Sequence, residues 1–447
     1  MWNLTQAAKN IQGSVIGKDV MFTGVATDSR SLCTGDLFVA LSGTRFDGHD
    51  YIEQAKARGA VAAMVSKAMP NIDLPLLLVE DCYLGLGRLA RAWRGQFSVQ
   101  VVAITGSNGK TTVKEMLAEI LRQHVTEAAV LATRGNLNNN IGMPLTLLRL
   151  REPHRYAVLE MGMNHPGEIA YLTRIAQPHV ALVNNAQSAH LAGLGTVEAV
   201  ARAKAEIFEG LSADGWAVIN ADDKNATLMR QLSKGHQTLL FGLDNAAEVS
   251  ARYQLGVGAS EMHINTPHGE LDTSLQVPGM HNVRNALAAA AAAIALNIPL
   301  AAIAAGLAAF KGVPGRLQRR SGRHGATIID DTYNANPDSV RAAIAVLAAA
   351  SGKKILVLGD MGELGENAIA MHAELGTYAK QLGVDRLLTL GELSANAVQS
   401  FGEGGMHFER IEELLAEVEN LLDSDVTLLV KGSRFMQMER IIKSFET

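Results

Sequence analysis

"AITGSNGKTTVKEM", residues 103–116, decides the fold: an apolar strand ends, glycines turn the chain, and Lys110 and Thr111 open a helix. Val113, Met116, Leu117, Ile120 and Leu121 recur at helical spacing and give that helix a buried face. Backbone N–H groups converge at such a helix start and cradle phosphates. Lys110 is placed to reach the terminal phosphates, and the Thr111 hydroxyl to ligate Mg²⁺. Gly106, Ser107, Asn108, Gly109, Lys110, Thr111 and Thr112 are therefore the candidate nucleotide-binding residues. The general phosphate-loop pattern has glycine six residues before the lysine. Ile104 stands there, so Gly106 and Gly109 must carry the turn. A chance Gly-Lys-Thr in an ordinary turn is the bland alternative, and the strand and helix that flank it argue against that.

Outward from this stretch, strands and helices alternate. "YAVLEM", "HVALVNN" and "GWAVINAD" are near-continuous apolar runs separated by helical patterns, as in a parallel sheet covered on both faces. Residues 246–277 differ and read as hairpins. Before residue 95, "DLFVAL", "AAMVS" and "LPLLLVED" outline a small α/β unit. After the linker "KGVPGR", 311–316, a third α/β pattern follows with "ATIIDD", "KKILVLGD", "DRLLTLG" and "DVTLLVKGS". The expectation is an α/β chain of three domains, 1–97, 98–313 and 314–447, the central one a P-loop-type, mostly parallel sheet.

The 447 residues exceed what one core supports, and 48% of them are hydrophobic. The net charge of −5 comes without a basic block, so no nucleic-acid partner is expected. Two cysteines, Cys33 and Cys82, make no disulfide framework and match no zinc spacing, consistent with a reducing, cytoplasmic location. The start "MWNLTQAAKN" has no basic, apolar leader pattern. The most membrane-like stretch, 286–310, is interrupted by Asn297 and Pro299 and reads as two short packed helices rather than a span.

Further polar residues fall where such a sheet places its ligand. Glu160 ends an apolar strand, and strand ends of doubly wound sheets face the ligand crevice. It offers the hard oxygen that Mg²⁺ needs. His190 follows the next strand in a loop, and alone it signals little. Asn282 and Asn285 in "PGMHNVRNAL" either hydrogen-bond a purine edge or cap the helix. Asp330 and Asp331 end a strand before "TYNANPDS", either a site or an ordinary strand–helix turn. In "TVEAVARAKAEIFEGL", 196–211, Lys204 interrupts an apolar stripe formed by Val200, Ile207 and Phe208. A lysine there either snorkels to water or is desolvated for a purpose.

Taken together, "TGSNGKTT", "EMGMNHPGEI", "KAEIF", "PGMHNVRNAL", "PGR" at 314–316, "DDTYNANPDS" and "LGDMGELG" occur in an order that resembles the Mur ligases, ATP-dependent amide ligases of peptidoglycan precursor synthesis. "TRGNLNNNIGMPLTLL", "TYNANPDS" and "VLGDMGELG" point to the member that adds D-Ala-D-Ala to UDP-MurNAc-tripeptide. The resemblance implies a UDP-binding N-terminal domain, a central ATPase and a Rossmann-like C-terminal domain. ATP would phosphorylate the tripeptide carboxylate, and the dipeptide amine would attack the acyl phosphate. Lys110 would neutralise phosphate charge. Thr111 and Glu160 would hold one Mg²⁺, and His190 with a carbamylated Lys204 a second. Arg316 would reach the phosphates, Asp331 the ribose, and Asn282 and Asn285 the adenine. Ser29 and Arg30 in "TDSR", with Asn138 and Asn139, would meet the UDP-sugar, and Asn334 and Asn336 the dipeptide or nucleotide. A monomer is expected. Two departures stand out: Met163 where a small residue is expected, and the bulky Phe435 and Met436 after "KGSR". A related ligase for another amino acid, a folylpolyglutamate synthetase-like enzyme and a P-loop ATPase driving a partner are the rival readings. The asparagine-rich loop 136–140 argues against the first two, and ATP hydrolysis without a UDP-sugar would mark the third.

Overall fold

The computed structural model describes residues 1–447 apart from Ala189, His190 and Val257 and the side chains of Leu191 and Ala192. Three largely parallel sheets follow one another along the chain. The first contains β1 (Ser14–Ile16), β2 (Gly24–Ala26), β3 (Asp36–Val39), β4 (Ala62–Val65) and β5 (Leu76–Leu78), in the order β1-β5-β4-β3-β2. The second is wholly parallel: β6 (Gln100–Thr105), β7 (Val130–Ala132), β8 (Tyr156–Glu160), β9 (Val180–Val183), β10 (Trp216–Asn220) and β11 (Gln237–Phe241). Its order, β11-β10-β9-β6-β8-β7, reverses at β6. The phosphate loop leaves β6, so it lies in the crevice that this reversal opens.

The segment after β11 forms an antiparallel sheet of β12 (Ser250–Leu255), β13 (Ser260–Thr266) and β14 (Gly269–Leu275), as the hairpin reading of 246–277 expects. The third large sheet holds β15 (Gln318–Ser321), β16 (Thr327–Asp331), β17 (Lys353–Gly359), β18 (Arg386–Leu390), β19 (Gly405–Phe408) and β20 (Val426–Lys431). They run in the order β15-β16-β20-β17-β18-β19, with only β15 antiparallel to its neighbour.

The alanine-rich stretch is two helices, Met280–Ala295 and Leu300–Ala309, and Asn297 turns left-handed between them at φ 57°. Both pack on the phosphate-loop helix Lys110–His124. Small side chains allow that closeness: a Cβ on Gly306 would stand 2.3 Å from the Ile120 Cα. Among the described residues no helix is long and apolar enough to cross a membrane. The segment 196–211 differs from its expected single helix. The α-helix spans Val197–Ala205 and tightens to a 3₁₀ turn over Glu206–Gly210.

One continuous core runs from Leu4 to Met229, so the first and second units pack as a block. Helix Cys82–Arg94 lies between them, and Trp93 donates from Nε1 to the Leu150 carbonyl at 3.2 Å. The third unit has its own clusters, around Leu358 and Val357 on opposite faces of its sheet. The chain enters it through Gly312 (φ 92°), Gly315 (φ 71°) and Leu317 (φ 51°). A leucine in the left-handed region costs roughly 1–2 kcal/mol, so contacts must hold this linker in place. Asp331 supplies one: its Oδ1 accepts from the Leu317 N–H at 3.2 Å.

Candidate active site

The phosphate loop is built by its neighbour as much as by its own glycines. Gly109 begins the helix at φ 79°, and a Cβ there would lie 2.3 Å from Asn285 Oδ1 and 2.5 Å from Asn184 Nδ2. Only glycine fits both the backbone and the space. The segment after β9, "NNAQ" at 184–187, clasps the loop. Asn185 Oδ1 accepts from Asn108 N (2.8 Å), while Asn184 and Asn185 both donate to the Asn108 carbonyl (2.9 and 3.1 Å). Gln187 N donates to Ser107 Oγ at 2.9 Å. Lys110 Nζ bridges to the Gly106 carbonyl at 2.8 Å. Burial pushes the Lys110 ammonium below its ordinary pKa. Glu160 pulls the other way and Arg316 adds repulsion.

Glu160, 2% exposed at the end of β8, meets this helix start. Its Oε2 accepts from Thr111 Oγ1 at 2.8 Å and its Oε1 from Asn138 Nδ2 at 2.7 Å. The asparagine loop is thus tied to the carboxylate. A buried cation holds the root of that loop: Lys114, 1% exposed, pairs with Glu115 and donates to the Thr133 carbonyl at 2.8 Å. Thr133 Oγ1 in turn accepts from the Glu160 N–H at 3.0 Å. Asn139 caps the next turn, its Oδ1 accepting from Gly142 N at 2.9 Å.

The third unit closes the opposite wall. Arg316 Nη2 donates to Thr111 Oγ1 at 2.8 Å, and its guanidinium stacks over the Tyr333 ring at 4.2 Å. Its Nε is buried with no hydrogen-bond partner among the described residues. Asp331 ends β16 and pairs with Lys431 at the end of β20, Nζ to Oδ2 2.6 Å; Lys431 also donates to the Asn334 carbonyl at 2.8 Å. Burial raises the Asp331 pKa, against the pull of Lys431 and Arg316. Asn336 caps helix Pro337–Ala348. Asp330 faces away into β15, paired with Arg320 at 3.1 Å.

One cavity of about 1370 Å³ lies between the second and third units and the edge of the first. The cavity brings together Ser107, Asn108, Gly109, Lys110, Thr112, Asn138, Asn139, Glu160, Asn282, Asn285, Arg316, Asp331, Asn334 and Asn336. Asn282 and Asn285 are not helix caps, because Gly279 occupies that position. Asn282 donates to the Pro278 carbonyl, and Asn285 Oδ1 accepts from Asn184. Ser29 and Arg30 do not line the cavity. Ser29 is buried on Gln54 at 2.7 Å, and Arg30 is exposed and paired with Asp28. Lys204 is 1% exposed and does not line the cavity, so the snorkelling alternative fails. Burial lowers its pKa well below the ordinary lysine value, and Lys110 adds repulsion. His190 lies outside the described residues. Met163 is buried in the wall, and Phe435 is 64% exposed with its ring against Gly362.

Several participants carried no local signal. Lys431 meets Asp331 only through the pairing of β16 with β20. His281 lines the cavity, and burial with the charges of Lys431 and Arg284 pushes its pKa down to about 4. The donor set suits a magnesium nucleotide. Thr111 and Glu160 offer two oxygens within 2.8 Å of each other, and the unpartnered Arg316 Nε fits an anion's oxygen.

Comparison with known proteins agrees with this architecture. Residues 104–293 match the Mur ligase middle domain, 315–434 the Mur ligase glutamate ligase domain, and 21–93 the Mur ligase family catalytic domain. The chain is similar to the UDP-N-acetylmuramoyl-tripeptide–D-alanyl-D-alanine ligase of Escherichia coli, 44% identical over 99% of this chain and 98% of that protein. A MurF crystal structure from Acinetobacter baumannii superposes with a TM-score of 0.93 at 38% identity, covering 99% and 98% of the two chains. MurF from Thermotoga maritima in complex with ADP gives 0.84 at 31%, covering 96% and 98%. The chain belongs to the Mur ligase family.

Proposed function

We propose that this chain joins D-alanyl-D-alanine to UDP-MurNAc-tripeptide with ATP, giving UDP-MurNAc-pentapeptide, ADP and phosphate. One observation carries the reading: a phosphate loop, a buried carboxylate and an arginine from another unit converge on Thr111 Oγ1. The similarity to UDP-N-acetylmuramoyl-tripeptide–D-alanyl-D-alanine ligases extends over nearly the whole chain. It supports this member of the family rather than a ligase for another amino acid.

The tripeptide carboxylate attacks the γ-phosphorus, the bond to ADP breaks, and an acyl phosphate forms. The dipeptide amine then adds to the carbonyl carbon, loses a proton, and expels phosphate as the amide forms. Both steps crowd anions together, so charge neutralisation and positioning dominate. The phosphate-loop N–H groups, Lys110 and Arg316 meet the phosphates. Asn282 and Asn285 face the adenine and Asp331 the ribose. Asn138 and Asn139 approach the UDP-sugar with Ser29 and Arg30 at its far end, and Asn334 lies toward the dipeptide. A magnesium ion, held by Thr111 and Glu160, would supply further charge neutralisation when bound.

Lys204 serves this site as a carbamate. Its desolvated amine adds to the carbon of CO₂ and releases one proton, leaving a carboxylate-like group that, with His190, would suit a second Mg²⁺. Lys204→Ala should be nearly inactive and partly rescued by short carboxylic acids. Full activity of Lys204→Ala returns the residue to a packing role. We place the domains at 1–97, 98–313 and 314–447, and read the enzyme as a cytoplasmic monomer. The deciding assay is phosphate release from ATP with UDP-MurNAc-tripeptide, with and without D-Ala-D-Ala. Release dependent on both supports the ligase, and release without the UDP-sugar marks a partner-driving ATPase.

A further inference from the structure

The phosphate loop and the third unit touch through a pair of side-chain amides. Asn336 Nδ2 donates to Asn108 Oδ1 at 2.8 Å, and Asn108 Nδ2 donates back to Asn336 Oδ1 at 3.3 Å. Neither amide is free to wander. Asn108 Nδ2 also donates to Gln187 Oε1 at 2.7 Å, and the Asn108 backbone is clasped on both sides by Asn184 and Asn185. Asn336 Oδ1 also accepts from Ser339 N at 2.9 Å as a helix cap, and Ser339 Oγ accepts from the Asn336 N–H at 3.0 Å. Two residues on, Asp338 Oδ2 accepts from Ser188 N at 3.0 Å, so the same helix start grips the loop after β9 as well.

We propose that the Asn108–Asn336 amide pair is a latch that holds the third unit closed on the phosphate loop, with Asn336 as the positioning residue. The pair joins the segment that receives nucleotide phosphates to the start of helix Pro337–Ala348, so the two move together. A cap alone needs only the Asn336 oxygen; the bond to Asn108 Oδ1 uses its nitrogen as well. Because the closed form binds nucleotide from both walls, weakening closure lowers apparent affinity in proportion to the closed population lost. Two neutral hydrogen bonds make that about a tenfold effect.

Two substitutions separate latch from cap. Asn336→Ser keeps an oxygen that caps helices well but is too short to reach Asn108. Asn336→Ala loses both. The readouts are small-angle scattering of the full chain and titration with a non-hydrolysable ATP analogue and Mg²⁺. The latch predicts a larger radius of gyration and about tenfold weaker analogue binding in both variants. A thermal midpoint lowered only in Asn336→Ala would mark the cap. Wild-type scattering and affinity in Asn336→Ser, with or without a defect in Asn336→Ala, overturn the latch. A cycle with Asn108→Ala adds a further check: the double variant should lose less affinity than the sum of the two single losses, and additive losses contradict a direct pair. The inference rests on the ATP-binding reading. Failure of that reading would show as no analogue binding by the wild type, whereas failure of the latch leaves wild-type binding intact.

Discussion

Replacing Lys431 by methionine tests how the cleft wall is held. The Lys431 side chain is 3% exposed and that of Asp331 11%, with Nζ 2.6 Å from Oδ2. Methionine keeps most of the volume and removes the charge, so the main effect is a stranded carboxylate. Breaking a buried pair from one side costs about 3–5 kcal/mol. The cost should depend on pH with a definite sign. Asp331 already has a raised pKa from burial, and Lys431 is its leading downward pull. Without Lys431 the folded value rises further. A group that holds its proton more tightly when folded contributes stability below its unfolded pKa, near 4, and loses it as pH rises through the folded value. Lys431→Met should therefore be far more destabilising at pH 8 than at pH 4.5. In acid, about 1 kcal/mol should remain, from the lost bond to the Asn334 carbonyl. The three tryptophans, at 2, 93 and 216, all lie outside the third unit, so fluorescence would miss the change. Hydrogen exchange of β16 and β20, corrected for intrinsic rates, reports it directly. Asp331→Asn combined with Lys431→Met should recover much of the loss. Equal protection loss at both pH values, or no recovery in the double variant, would refute the reasoning.

Lys110→Ala should lower kcat by roughly a hundredfold or more, about 3 kcal/mol of transition-state stabilisation, while UDP-substrate binding measured by calorimetry stays near normal. Arg316→Ala removes the bond to Thr111 and the stack on Tyr333; its KM for ATP should rise, and scattering should show less compaction with ATP analogue and UDP-substrate than the wild type. Gly109→Ala combines a left-handed backbone with a Cβ 2.3 Å from Asn285 Oδ1, so nucleotide-analogue binding should fall at least tenfold in a protein whose far-ultraviolet circular dichroism is unchanged.

The parts of this molecule legible in the sequence are those in which one segment carries its own reason. Strands β6, β8, β9 and β10 are apolar and nearly wholly buried, so their runs stand out. The short strands β7 and β19 offer three and four residues, the latter without a clean alternation, and carry no pattern to read. The phosphate loop was legible because its glycines have a local cause. Lys431 was not, since its partner is a hundred residues away and only the parallel pairing of β16 and β20 brings them level. The asparagines at 184 and 185 look like ordinary loop residues until the phosphate loop is seen resting on them. Asp330 and Asp331 show the same limit from the other side. They are adjacent in sequence, yet strand alternation sends one to Arg320 and the other to Lys431 and the cleft.

Lys204 shows where pattern stops and chemistry begins. An apolar helical stripe left its side chain either snorkelling or desolvated; it is buried, but the stripe says nothing of what the side chain meets. What it meets electrostatically is Lys110. Two ammonium groups brought together without water repel, and burial pushes both toward the neutral amine, Lys204 the further. Lys110 has Glu160 to offset its burial, an attraction that Lys204 lacks among the causes of its shift. The carbamate proposed for Lys204 draws on this asymmetry: Glu160 supports the charge on Lys110, and Lys204 is pushed further toward the neutral amine that carbamylation requires. Exchanging the environments should exchange the behaviour. Glu160→Gln removes the attraction on Lys110, so its folded pKa should fall, and its charge should then be lost at a lower pH. The alkaline limb of the analogue-binding profile should move to lower pH in Glu160→Gln, and an unmoved limb would show that Glu160 does not set the charge of Lys110.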